Sequence, residues 1–445
     1  MSNYKYSLQD YHAIESANIR LDGITVICGE NGCGKSTLSR WLYYIVNGIT
    51  EFNLFVYQIF IYSLQEEINL LRAAYQDIRM HRESSSLPLL YEGQKKLDEC
   101  RDIESEENVQ QALFIYKNII EKFGKLLYDY LKETNSRVSK DRVLRFLGID
   151  VDSPTSIHVK VDDFISHRIR KGEEFLHQYR NEKENRELSR FFSLIKSNYD
   201  IREEVPKNKI ELSEDKVNLF RNQKVGYLYN LKRAIYVDTP MAISEEVASD
   251  NIFWNDLQNC MIVPLRGKIQ TKSEKKLILR LQKLIKGNVS AERDDFGQLE
   301  LRYKREDGLD IKLDDVATGI KSFSYILRLL ENGYLDEHTL LLIDEPEAHL
   351  HPQWVVEFAR ILVLLNKELG VKIMIASHNP DMVAAIHSIS RREGLVDSTV
   401  FYLAISADKP FRYVYGELGN NVEEIFKSFN IAFERIKQYG ESTGL

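Results

Sequence analysis

Residues 29–37 read GENGCGKST. Gly29, Gly34, Lys35 and Ser36 stand at the spacing G-x-x-x-x-G-K-[ST], and the run follows an apolar strand and opens a helix. Glycines let the backbone curl until its N–H groups point inward, and the helix N-terminus adds partial positive charge. Such a loop wraps the phosphates of a nucleotide such as ATP. Gly29, Asn31, Gly32, Cys33, Gly34, Lys35, Ser36 and Thr37 would line them, Lys35 reaching the β- and γ-phosphates and Ser36 ligating Mg²⁺. The competing reading is a bare glycine turn; the flanking strand and helix argue against it.

A second run, Leu340 to Pro346, reads LLLIDEP. Asp344 at the end of an apolar strand can hold Mg²⁺ directly or through water. Glu345 points elsewhere and is placed to polarise an attacking water. Two buried carboxylates cost several kcal/mol unless paired or metal-bound, so the pair needs a reason. Taken alone it could be an ordinary strand-ending acidic pair. Ser377-His378 follows the strand KIMIA, where His378 can donate to a γ-phosphate or simply cap a helix. Ala317-Thr318-Gly319-Ile320-Lys321 is a small-residue turn at a helix start, which can bind phosphate. On that segment alone, N-capping by Thr318 is the simpler reading.

The elements that must position these residues fall into three regions. Tyr4 to Cys28 alternates and then runs apolar, which predicts two edge-type strands and a buried strand feeding Gly29, with a helix over Lys35 to Val46. From Ile49 to Leu231 the chain is rich in Glu, Lys, Arg, Leu and Tyr. Apolar residues recur at helical spacing at Leu64, Ile68, Leu71 and Tyr75, and at Leu113, Tyr116, Ile120 and Phe123. Breaks are expected at Ser84 to Ser86, Gly148, Pro154 and Pro206, and no heptad persists long enough for a coiled coil. From Arg233, strands are expected at Ala234 to Asp238 and Met261 to Leu265, then a basic helix over Lys272 to Lys286 and a hairpin about Asp307-Gly308. Strands Thr339 to Ile343, Lys372 to Ala376 and Thr399 to Ile405 then alternate with helices Pro352 to Leu369 and Pro380 to Ile389. This predicts an α/β domain with a mostly parallel sheet and antiparallel N-terminal strands, split by a large all-helical insertion. Its halves are 1–48 and 232–445, and the insertion is 49–231.

Bulk properties narrow the setting. The 445 residues are 43% hydrophobic and 29% charged, with net charge −7, so whole-chain charge gives no support for nucleic-acid binding. Cys28, Cys33, Cys100 and Cys260 form no C-x-x-C pair and no zinc spacing, which suggests a reducing cytosol. MSNYKYSLQD lacks the pattern of a signal peptide, and Phe52 to Leu64 is too short and interrupted to span a bilayer. A cytoplasmic protein with no membrane partner is expected.

The order of phosphate loop, long insertion, small-residue turn with helix, IDEP and then SH resembles the ABC-type ATPase heads of the RecF, SMC and OLD group. The resemblance covers the N-terminal strands and the chain after Arg233. It implies an ATPase in which Glu345, Lys35 and His378 are catalytic. Thr318, Gly319 and Lys321 would be a signature turn completing a second subunit's ATP site, although the LSGGQ pattern is absent. A homodimer or higher homo-oligomer, closed head to head over ATP, follows. The run EPEAHLHPQ, Glu345 to Gln353, resembles the OLD-like branch of AAA family ATPases in prokaryotic anti-phage systems, which includes OLD, PtuA and AriA. That branch implies a phage sensor. Because no Asp-x-Asp pair follows His378, its effector is expected to be a separate protein such as a nuclease. The family also carries a glutamine loop; Gln58 is a candidate, whereas Ala234 to Asp238 holds the better position and no glutamine. A RecF-like DNA-repair ATPase, with nucleic acid as partner, is the alternative, with His167 to Lys171 and Lys272 to Lys276 as its basic candidates. An ABC transporter subunit is disfavoured by the degenerate signature and the size of the insertion.

Overall fold

The structure is a computed structural model that describes residues 2–80, 89–151, 155–238, 251–265, 267–294, 296–297, 299–419 and 421–427. The breaks expected at Ser84 to Ser86 and at Pro154 lie outside these residues. The strands are β1 (Tyr4–Tyr11), β2 (Ile14–Arg20), β3 (Ile24–Cys28), β4 (Ile210–Glu214), β5 (Val217–Asn218), β6 (Phe220–Arg221), β7 (Lys224–Val225), β8 (Arg233–Val237), β9 (Gly287–Arg293), β10 (Leu299–Arg305), β11 (Asp310–Lys312), β12 (Thr339–Asp344), β13 (Lys372–Ser377), β14 (Thr399–Ser406) and β15 (Tyr413–Gly419). The helices are α1 (Lys35–Asn69), α2 (Arg72–Met80), α3 (Leu89–Cys100), α4 (Glu106–Glu133), α5 (Arg137–Phe146), α6 (Ile157–Asn185), α7 (Leu188–Asn198), α8 (Ile252–Ile262), α9 (Lys272–Ile285), α10 (Thr318–Glu331), α11 (Pro352–Leu369) and α12 (Pro380–Arg392). The chain forms two compact units, one of residues 1–50 with 195–445 and one of residues 51–194.

The first unit is built on a ten-stranded sheet ordered β5-β4-β1-β2-β15-β14-β3-β13-β12-β8. Strands β14, β3, β13, β12 and β8 pair in parallel, and β1, β2 and β4 pair antiparallel. Alternate residues of the parallel block (Val26, Ile235, Ile343, Ile375 and Phe401 among them) face one side, as the period of two requires. They join Phe323, Leu327, Phe358, Leu362 and Ile386 from α10, α11 and α12 in one core. At the β8 edge, Asn47 of α1 replaces a neighbouring strand. Its Nδ2 donates to Ala234 O at 2.9 Å and its Oδ1 accepts from Ala234 N at 2.7 Å, so one residue's backbone groups stay satisfied.

Four expectations are corrected here. The helical stretch ends at Asn198 instead of reaching Leu231, because Ile210–Glu214 pairs with β1. That pairing also makes β1 an interior strand, since β2 lies on its other side. Met261 to Leu265 is not a strand: Asn251 caps α8 by accepting from Phe253 N, and Phe253, Trp254, Leu257, Cys260 and Met261 bury one helical face. The apolar run starts in the last turn of that helix, with Val263 as its C-cap and Pro264 and Leu265 beyond it. The helix expected over Lys35 to Val46 continues to Asn69.

The second unit is helical. Tyr116 of α4 donates to Arg168 O of α6 at 2.9 Å, and Lys117 meets Glu173 at 2.7 Å. Glu67 is nearly buried and takes both Lys171, at 2.8 Å, and Arg168. Burial pushes its carboxyl up, but the bonds from Lys171 and Arg168 outweigh this and hold it below the usual range. A depressed carboxylate adds stability above its unfolded value, near pH 4.3, that is lost as pH falls through its folded value. Glu67→Gln should therefore destabilise the protein by about 1–3 kcal/mol at pH 7, since it weakens the hydrogen bonds of a largely buried cluster. Denaturant melts should show that gap closing below about pH 4; an equal gap at both pH values would refute the ionic origin.

Candidate functional site

The parallel registers bring the site together. Cys28 pairs with Ser377, Ala376 with Asp344, and Val237 with Ile343. The carboxyl ends of β3, β13, β12 and β8 therefore finish on one level, where open α/β sheets bind ligands. The phosphate loop leaves β3 there and enters α1 at Lys35. Gly34 takes φ +98°, a value other residues rarely adopt, and a Cβ on it would sit 2.8 Å from Ile14 Cγ1. Lys35 is buried and folds over its own loop, its Nζ donating to Gly29 O at 2.9 Å and Glu30 O at 3.0 Å. From β15, Tyr415 donates its hydroxyl to Cys33 O at 2.9 Å and so braces the loop.

Asp344 is 2% exposed. Its Oδ1 accepts from Ser39 Oγ at 2.7 Å and its Oδ2 from Tyr236 OH at 2.9 Å, and the Ser36 side chain also favours its charged form. Burial pushes the carboxyl up against the pull of these three side chains. Ser39 stands one turn after Ser36 on α1, so its place was readable from the period of the helix. Tyr236 comes from β8, and only the strand order puts it there. At the end of β8, Asp238 stands in the position considered for the glutamine loop, with Arg40 Nη2 3.4 Å from its Oδ2. Gln58 lies within α1.

Glu345 N still donates to Ala376 O at 2.8 Å, yet its φ is +48°, so the chain turns out of the strand at this residue. Its Oε1 lies 3.3 Å from His378 Nδ1. Both side chains are partly exposed, at 35% and 44%. Glu347, singled out only as part of the run to Gln353, is buried beneath them. Its Oε1 accepts from Ser377 Oγ at 2.7 Å and from His378 N at 3.1 Å, and burial pushes its carboxyl up. The capping alternative for His378 fails: Asn379 caps α12, accepting from Asp381 N and Met382 N, with Pro380 next.

The small-residue turn lies elsewhere in the contact network. Ala317, not Thr318, is the N-cap of α10, and it offers no side-chain acceptor. That corrects the capping reading of Thr318. Gly319 faces Trp354, where a Cβ would be 3.0 Å from Cε3, so a larger residue would crowd the ring. Lys321 Nζ donates to Asp314 O at 2.5 Å. All four cysteines are free and buried. No helix among the described residues is long and apolar enough to cross a membrane.

A phosphate loop that leaves β3 and enters α1, with β12 ending in Asp344-Glu345 two strands away in the same parallel block, is the arrangement of a P-loop nucleotide site. The chain belongs to the AAA ATPase domain family, which it matches over residues 4–383. Energy-coupling factor transporter ATP-binding protein EcfA3 of Clostridium perfringens is 42% identical over 72 residues, 16% of this chain and 25% of that protein. EcfA2 of the same species is 47% identical over 47 residues, 11% of this chain and 16% of that protein. The chain thus spans a quarter or less of the length of these curated relatives. Among solved structures, the SMC head domain from Thermotoga maritima has a TM-score of 0.34 at 11% identity, covering 94% of this chain and 99% of that one. A Smc head domain with an extended coiled coil, bound to the C-terminal domain of ScpA and derived from Pyrococcus furiosus, has 0.35 at 11%, covering 98% and 100%.

Proposed function

We propose that this ATPase is a switch that closes head to head over ATP, opens after hydrolysis, and controls a separate effector, such as a nuclease, in anti-phage defence. The observation that carries the hydrolytic part is the Glu345–His378 pair, 3.3 Å apart, at the level of the sheet where Asp344 and the phosphate loop end. Lys35 neutralises charge on the β- and γ-phosphates, Glu345 accepts a hydrogen bond from the attacking water, and His378 donates to the γ-phosphate.

Mg²⁺ fits the donors present. Among the described residues no three or more His, Cys, Asp or Glu side chains group to hold a metal by themselves. Mg²⁺ does not need that, since it binds through one or two carboxylates plus phosphates and water. Ser36 and Asp344 would hold it, and when bound it would offset charge on the phosphates.

The head-to-head closure rests on the turn at Thr318, Gly319 and Lys321. The first turn of α10 has no side-chain cap, which suits a phosphate supplied by a second copy. In this reading the ATPase head would be the first unit, residues 1–50 with 195–445. The defence role and the separate effector rest on the run Glu345 to Gln353, and the setting would be cytoplasmic. A DNA clamp is less favoured, because Arg168 and Lys171 are already held by Glu67. Transport, the role named for the curated relatives, would require a membrane permease that co-purifies.

Light scattering should show ATP-dependent association of the purified chain, and deletion from its host should raise phage plating. No association together with unchanged plating would sink the proposal.

A further inference from the structure

We propose that Glu347 is a positioning residue for ATP hydrolysis, taking the His378 imidazole from Glu345 so that Glu345 is free to orient water. This rests on the roles given above to Glu345 and His378.

His378 Nδ1 lies between two carboxylates. Glu345 Oε1 is 3.3 Å away and Glu347 Oε1 is 3.7 Å away. While the ring faces Glu345, that oxygen is engaged and cannot accept from water in the same direction. Glu347 is built to receive the ring. Its Oε1 already holds Ser377 Oγ at 2.7 Å and the His378 N–H at 3.1 Å, so the backbone from which the ring pivots is pinned to this same group. A small rotation of the imidazole then exchanges one acceptor for the other, and no covalent bond changes.

The state of Glu347 gives an independent reason. Its side chain is 3% exposed, and its Oε2 is sealed from solvent with no hydrogen-bond partner among the described residues. A buried carboxylate with unused acceptor capacity is costly, and most buried polar groups are paired. Burial pushes its carboxyl up. A protonated imidazole drawn against it would compensate that burial. In that form His378 donates Nδ1–H to Glu347 and Nε2–H to the γ-phosphate, and Glu345 keeps both oxygens for water.

The competing role is purely structural, with Glu347 holding the Ser377-His378 turn and nothing more. Steady-state ATPase assays on the full chain separate the two. Glu347→Gln keeps an acceptor for Ser377 and His378 N but cannot carry charge. It should melt close to the wild type, keep KM for ATP within about threefold, and lose about tenfold or more in kcat, less than the ~10²–10⁴ expected on removing the acid–base group itself. Glu347→Ala should lose at least as much. In a His378→Ala background neither substitution should lower kcat further, because residues acting as a unit are not additive. Wild-type kcat in Glu347→Gln would overturn the proposal, as would the same fold-loss from Glu347→Ala with and without His378. Wild-type turnover in His378→Ala alone would instead remove the reading on which the proposal stands.

Discussion

Lys35→Ala should yield a folded protein whose affinity for ATP is at least about thirtyfold weaker, because truncating one side of a buried charged contact costs about 2–5 kcal/mol. Lys35 is the cation on the phosphate loop itself, and its Nζ already lies at the mouth of the curl, on the carbonyls of Gly29 and Glu30. Those bonds are local to the loop, so their loss should leave the sheet intact. The loop is held independently by Tyr415 on Cys33 O and by the approach of Ile14 to Gly34. Calorimetric titration with ATP, beside a thermal melt without nucleotide, checks both halves. An affinity within tenfold of the wild type would show that the phosphates bind elsewhere.

Glu345→Gln should bind ATP normally and turn it over about 10²–10⁴-fold more slowly, the usual loss when a positioned acid–base group is removed. The substitution keeps shape and removes charge. Glu345 and His378 are partly solvated, so their pairing contributes no more than about 1 kcal/mol to stability and the fold should persist. Lys35, Ser36 and Asp344 are untouched, which is why binding should survive chemistry. With hydrolysis blocked, the ATP-bound associated form should accumulate. Normal single-turnover rates in this variant would refute Glu345 as the group that orients water.

Much of the site was legible in the sequence because its motifs are local. GENGCGKST needs only a strand before it and a helix after it, and IDEP needs only a buried strand to end on. His378 was legible as a residue just beyond a strand, but its competing role as a cap was settled only by Asn379 at the next position. The residues that reading along the chain missed are those placed by strand order. Tyr236 reaches Asp344 because β8 lies beside β12, and Tyr415 reaches Cys33 from β15, a strand not foreseen at all. Neither has a local signature. Met261 to Leu265 misled because a short apolar run fits a strand and a helix end equally well, and only the cap at Asn251 decides between them. The stretch to Leu231 misled for the opposite reason: Ile210–Glu214 is too short to interrupt a helical impression, yet it pairs with β1.

The switch depends most on whether Thr318, Gly319 and Lys321 complete the site of a second copy. The direct measurement mixes two defective variants, Glu345→Gln and Lys321→Glu, before ATP is added. Each should be nearly inactive alone, the first in its own water-orienting group and the second in what it offers its partner. In a two-fold dimer that pairs at random, half the dimers are mixed and each has one intact site, so the mixture should recover about a quarter of the wild-type rate. A mixture no more active than the two variants assayed separately would contradict a shared site.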